Sequence, residues 1–237
     1  MRALMLFCAL LAPLADAATC TATSGATRNR LLELYTSEGC SSCPPADRWL
    51  SQLPGNSGVL PLAFHVDYWD RLGWKDRFAQ AAFSQRQRGR NRGPGWVYTP
   101  QVMLDGMDFR NWHRGLPARS NSPAQASLSL TLAQTSEHID VQADSRFASS
   151  AASRGAGLYL ALYENRLSSN VTAGENDRRT LHHDHVVRQL VGPLDAGSAR
   201  YRFSLQPGWK AADLGVVAFV LDARGATLQA LARAACP

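Results

Sequence analysis

Cysteine is scarce in this chain, five in 237 residues, and the scarcity narrows the chemistry. Only Cys40 and Cys43 are spaced as Cys-x-x-Cys. Structural zinc usually draws on a second pair of ligands at comparable spacing, and no second such motif exists. Haem attachment needs a histidine directly after the second cysteine, where this chain has Pro44. Clustered positive charge is sparse too. The net charge is +6, and Arg86, Arg88, Arg90 and Arg92 form the one tight basic group. Their two-residue spacing spreads them round a helix, which argues against nucleic acid as a partner and reads as a solvated helix end. Long apolar runs are missing as well. After residues 3–14 no stretch reads as a transmembrane helix, and that run is short for a bilayer.

What is present begins with a targeting signal. Arg2 precedes the apolar run, and Ala15-Asp16-Ala17 fits a small-x-small cleavage site. Residues 1–17 are expected to be a signal peptide that takes Cys8 with it. Lipidation at Cys20 is a weak alternative, because Thr19 is a poor residue before an acylated cysteine. The expected location is periplasmic or secreted, without stable membrane insertion. Four cysteines then remain in an oxidising compartment, and they allow three pairings. If Cys40 and Cys43 are the redox pair, Cys20 and Cys236 are left for a structural bridge joining the chain's two ends. Closing so long a loop adds on the order of 4–5 kcal/mol in the chain-entropy model.

The Cys-x-x-Cys motif sits between two readable elements. Leu31-Leu32-Glu33-Leu34-Tyr35-Thr36 is short and apolar, as a buried strand is. Pro44-Pro45-Ala46-Asp47-Arg48-Trp49-Leu50 has prolines where a first helical turn tolerates them. A cysteine at a helix N-terminus is stabilised as thiolate, the form that attacks a disulfide. Cys40 therefore reads as nucleophile and Cys43 as resolving partner. Farther on, Tyr98-Thr99-Pro100 opens a strand that runs into Asp105-Gly106, a natural place for a cis peptide, although most X-Pro bonds are trans.

These segments, together with Phe64-His65-Val66-Asp67-Tyr68-Trp69-Asp70 and Gly73-Trp74-Lys75-Asp76, resemble the secreted thioredoxin-like family labelled domain of unknown function 1223. The resemblance runs from about Leu31 to the C-terminus and weakens after Gly106. It implies a thioredoxin-like α/β fold in which the loop at Thr99 and Pro100 packs against the dithiol and holds a substrate strand. It also implies that Glu33 is a buried acid relaying a proton to Cys43; burial would raise its pKa. The competing reading leaves Glu33 at a solvated sheet edge.

The expected order is strand 31–36, helix 44–53, strand 59–66, helix 76–90 and strand 101–105, a βαβ unit and a hairpin. Trp74 and its aromatic neighbours either wall a substrate groove beside the dithiol or cap the core. Residues 117–123 read as a linker between a thioredoxin-like domain (18–116) and a mostly antiparallel, sandwich-like β domain (124–237). The period-two pattern predicts strands near 157–164, 185–191, 199–205, 215–222 and 226–233. Two histidine groups complete the candidates. His65 and Asp67 share a strand face, and His182, His183 and His185 are close in sequence, with His183 and His185 metal-competent if both lie on one strand.

The function expected from all this is an exported thiol–disulfide oxidoreductase with no cofactor, exchanging with protein thiols and disulfides and with a redox partner protein. Two alternatives stand beside it. One is a periplasmic protein that binds and delivers a soft metal such as copper through the same cysteines; the other is a non-catalytic binding module.

Overall fold

Two kinds of strand build most of this molecule: strands apolar on both faces, such as Leu214–Leu221, and strands that alternate apolar with polar residues, such as Ala126–Gln134. In a computed structural model that describes residues 18–91, 96–119 and 121–236, strands far outweigh helices. The expected leader (residues 1–17) and Arg92 lie outside the described residues. In chain order the elements are β1 (Ala18–Thr23), β2 (Arg30–Thr36), α1 (Pro44–Ser51), β3 (Val59–His65), α2 (Ala81–Arg90), β4 (Gln101–Leu104), β5 (Met107–Asp108), β6 (Ala126–Gln134), β7 (His138–Phe147), α3 (Ser150–Ser153), β8 (Gly157–Glu164), β9 (Leu167–Asn170), β10 (Thr180–His183), β11 (Val186–Leu194), β12 (Ser198–Ser204), β13 (Leu214–Leu221) and β14 (Thr227–Ala234).

Eight strands form one mixed sheet in the order β14-β13-β8-β11-β3-β2-β4-β5, and β1-β6-β7-β12 form a second, antiparallel sheet. Strands from both sides of residues 117–123 enter the large sheet; the seam is the parallel pairing of Val186 on β11 with Ala63 on β3. Residues opposite one another across a ladder share a face, so Ala63, Val186, Glu164 and Leu214 lie on one face. That face is covered twice. Over β2 and β4, α1 buries Ala46 and Leu50 on Leu32, Leu34, Val102 and Leu104. Over β8 and β13, the second sheet packs Leu130, Leu132, Ile139 and Val141 against Leu160, Leu162, Val216 and Ala218. The opposite face carries Leu31, Tyr35, Phe64, Tyr163 and Phe219, with Phe83 of α2 upon them.

This corrects the expected fold. The chain is mostly β, not a thioredoxin-like α/β domain followed by a sandwich-like one. Only three α-helices occur among the described residues, and the longest has ten residues. The helix expected over 76–90 begins at Ala81, because Asp76 is drawn into the buried polar cluster described below. Of the later strands, β8, β11, β13 and β14 extend the sheet begun by β2 and β3, while β6, β7 and β12 join β1 in the second sheet.

The basic group also changes character. Arg86 and Arg90, one turn apart on α2, are not solvated: both reach Glu33 at 2.7 Å. No helix among the described residues is long and apolar enough to cross a membrane.

Candidate functional site

Because β2 and β3 run parallel, with Thr36 opposite His65, their C-terminal ends open side by side. The chain leaves β2, turns through residues 37–43 and enters α1 with Cys43 as the capping residue and two prolines in the first turn. Cys40 and Cys43 form a disulfide with a Cα–Cα separation of 5.4 Å. Both are fully buried, while Ser41 and Ser42 between them are exposed. A second disulfide joins Cys20 to Cys236.

A segment far downstream covers the dithiol. Between β9 and β10, a 3-10 turn (Gly174–Asn176) rests on the cysteine loop. The buried Asn176 Nδ2 donates to the carbonyls of Glu38 at 2.9 Å and Cys40 at 3.0 Å. Glu175 Oε2 accepts the Ser41 N–H at 2.9 Å. Gly39 lets Trp69 pack closely beside Cys40, since a Cβ there would stand 3.0 Å from Trp69 Cβ. The same tryptophan donates its indole N–H to Thr99 Oγ1 at 2.7 Å, so Trp69 connects the cysteine loop to the Thr99-Pro100 segment, whose peptide bond is cis. Trp74 donates to Glu38 Oε2 at 2.8 Å and lies against the Gly174 turn.

Behind the disulfide lies a cluster that only the fold brings together: Glu38, Asp47, His65, Asp76 and His183, all buried. His65 Nδ1 meets Asp76 Oδ2 at 2.6 Å, and that oxygen also accepts the Glu38 N–H at 2.9 Å. His183 Nε2 stands 3.3 Å from Glu38 Oε1 and its Nδ1 3.8 Å from Asp47 Oδ2. The His65 and His183 rings meet edge to face at 4.9 Å. Burial disfavours every charge here, and the partners decide the outcome. Burial opposes the Asp76 carboxylate, but His65 and two backbone N–H groups hold its pKa below the usual range. Glu38 is likewise held low against burial, chiefly by His183. Burial would depress His65, yet Asp76 lifts its pKa above the ordinary value. Asp47 goes the other way: burial raises its pKa, and His183 and His65 only partly offset this.

Asp47 is the acid nearest in chain to the resolving cysteine. Its N–H donates to the Cys43 carbonyl at 3.1 Å, and residues four apart share a helix face. The sequence carried that signal in the Cys-x-x-x-Asp spacing, although the acid expected was Glu33. Glu33 shares a strand face with Leu31 and Tyr35, opposite the face α1 covers. It accepts from the Tyr35 hydroxyl at 3.3 Å and is clamped by Arg86 and Arg90. Burial would raise its pKa, but the two guanidinium groups pull it below the usual value, so it holds no proton to relay.

The histidines separate. His183 is buried in the cluster and His182 is exposed; His185 follows the strand with positive φ and tilts against Tyr163 at 5.7 Å. His183 and His185 therefore do not share a strand face. His65 faces Asp76 rather than Asp67, whose backbone N–H bonds Ser84. Among the described residues, no three His, Cys, Asp or Glu side chains are grouped to hold a metal ion.

In three dimensions the chain is similar to a crystal structure of a protein from Agrobacterium tumefaciens, at 23% identity and a TM-score of 0.58, over 90% of this chain and 97% of that one. It is also similar to HBP35 of Porphyromonas gingivalis, at 15% identity and a TM-score of 0.60, over 89% of this chain and 76% of that one. At these identities the likeness is one of fold. No curated protein matches the chain. A family model matches residues 31–221, from the start of β2 to the end of β13, and the chain belongs to that family, described as protein of unknown function (DUF1223).

Proposed function

We propose that this protein is an exported thiol–disulfide oxidoreductase working in the periplasm or outside the cell. Its substrates are protein thiols and disulfides, and a redox partner protein resets it. The observation that carries the reading is the Cys40–Cys43 disulfide at the start of α1, with Asp47 one turn beyond Cys43 and backed by buried His183 and His65. Two disulfides in one chain suit an oxidising compartment.

In the reduced protein the Cys40 thiolate attacks a substrate disulfide. That S–S bond breaks, one substrate sulfur leaves as thiolate and takes a proton, and a mixed disulfide forms. Cys43 gives its proton to the Asp47 carboxylate and attacks Cys40 Sγ. The second substrate sulfur leaves as thiolate and takes a proton; the substrate has gained the two electrons that the dithiol loses in forming the Cys40–Cys43 bond. Run backward, the same steps oxidise a substrate dithiol. Both cysteines are buried and Asn176 of the Gly174–Asn176 turn bonds the Cys40 carbonyl, so exchange with a protein requires that turn to lift.

The test is equilibration of the Cys40–Cys43 pair with glutathione buffers and thiol trapping, with Cys40→Ser and Cys43→Ser as controls. A potential above about −200 mV marks an oxidase or isomerase, and one near −270 mV a reductant. A pair that never exchanges would end this reading.

A further inference from the structure

Phe78, whose ring meets both His65 and His183, is also a wall of a separate cleft of about 280 Å³. Four cations line it: Arg77, Arg166, Arg188 and Lys210. Two carboxylates answer them. Glu164 lines the cleft, and Asp213 is held by Arg166. Two positive charges remain in excess.

Arg188 is the best-built of the four. Its guanidinium lies over the Trp209 ring at 4.6 Å and near the Phe78 ring at 5.1 Å, and its side chain is 16% exposed. Two rings at its faces leave the N–H groups at its edge to do the bonding. Yet among the described residues this guanidinium makes no hydrogen bond. Its nearest carboxylate, Glu164 Oε2, is 3.5 Å away and is itself without a hydrogen-bond partner. Glu164 spends its other oxygen on the Lys210 backbone N–H at 3.0 Å, which leaves the lysine side chain exposed at the rim. Arg77 is anchored to the Ser168 carbonyl at 2.6 Å. A half-buried, stacked guanidinium whose edge makes no hydrogen bond among the described residues keeps its donors free for an acceptor in the cleft.

We propose that this cleft binds a small oxyanion, a phosphate or carboxylate group, held by the edge of Arg188 with Lys210 and Arg77 at the rim. The fork of N–H donors matches two oxygens of either group, and Lys210 adds a point charge. The volume suits a ligand larger than a bare ion but smaller than a nucleotide bound in full. The site does not depend on the dithiol chemistry, so either reading can fail without the other.

The experiment is calorimetric titration of the oxidised full chain with inorganic phosphate and, separately, with citrate, against sodium chloride at matched ionic strength. The expected result is saturable binding of at least one probe. It should weaken about tenfold or more in Arg188→Met, which keeps the stacked stem, and in Lys210→Ala, which alters only an exposed side chain. Arg146→Ala, an exposed arginine elsewhere, should leave it unchanged. The probe that binds tells which headgroup the cleft takes. Absence of saturable binding with both probes overturns the proposal, and so does equal weakening in Arg146→Ala, which would mean diffuse attraction to net charge. If Arg188→Met fails to fold, Lys210→Ala decides alone.

Discussion

The Glu175 carboxylate accepts the N–H of Ser41 at 2.9 Å, across 134 residues of chain. That donor lies between the two cysteines, where a free N–H would help stabilise a thiolate at Cys40. The bond holds Glu175 below its usual pKa, so it is ionised at neutral pH. It takes up a donor the thiolate would use and adds a like charge beside it. Glu175→Gln keeps an acceptor and removes the charge, so Cys40 in the reduced protein should form thiolate more readily. Iodoacetamide labelling of the reduced protein across pH is expected to show the profile shifted toward acid, with alkylation roughly three- to tenfold faster on its rising limb. An unmoved profile would remove Glu175 from control of the nucleophile.

Asp47 and Glu33 make opposite predictions. Asp47→Asn should slow the resolving step about a hundredfold near neutral pH, since the variant has no carboxylate to take the Cys43 proton. Single-turnover release of a trapped mixed disulfide measures this. Glu33→Gln should leave that rate alone and cost stability instead. It strands Arg86 and Arg90, both nearly buried, and breaking a buried pair costs about 3–5 kcal/mol. Urea unfolding beside the kinetics separates the two roles; slowed release in Glu33→Gln would return it to the mechanism.

Why Asp47 was readable and the fate of Glu33 was not comes down to range. The Cys43-to-Asp47 relation is written in one turn of helix, and Pro44 and Pro45 mark where that turn starts. Glu33 is decided by Arg86 and Arg90, 53 and 57 residues away. Its place in an apolar strand announces burial but not its partners. The same limit applies to the architecture. Most strands are legible as short apolar runs or as period-two alternation, but the single Val186 to Ala63 pairing that merges β8, β11, β13 and β14 with β2 and β3 has no local signal. β9 and β10 carry little local signal, since Leu167-Ser168-Ser169-Asn170 is short and polar, and the turn that covers the dithiol lies between them.

The His65–Asp76 pair predicts two limbs in stability against pH. Asp76 has its pKa lowered from 3.8, so its contribution is present above that value and is lost as pH falls below it. His65 has its pKa raised from 6.5, so its contribution is complete below 6.5 and is lost as pH rises through the elevated value. Asp76, Asp47, Glu38 and His183 all face His65; Asp47, raised from 3.8 by burial, contributes stability that is complete below 3.8 and is lost as pH rises through its raised value, apart from the His65 limb. Urea unfolding should therefore show stability declining from neutral toward alkaline pH. Asp76→Asn should be less stable by about 3–5 kcal/mol at pH 6 and should flatten the alkaline decline. A variant whose alkaline limb matches the parent would assign that limb elsewhere.

The Cys20–Cys236 bridge should act on stability and leave the dithiol's chemistry alone. It spans 216 residues, and Cys20 is paired within the second sheet opposite Leu132 while Cys236 packs on the same core. Its loss frees both ends of the unfolded chain, at a cost of about 4–5 kcal/mol in the chain-entropy model. The folded ends remain partly held: β1 keeps its ladder with β6, and Cys236 N–H still reaches Gln134 Oε1. Cys20→Ser/Cys236→Ser should thus unfold at markedly lower urea with an unchanged Cys40–Cys43 potential. Because Cys20–Cys236 belongs to the core between the two sheets and Cys40–Cys43 sits at the start of α1, a shift in that potential would show coupling between the second sheet and α1.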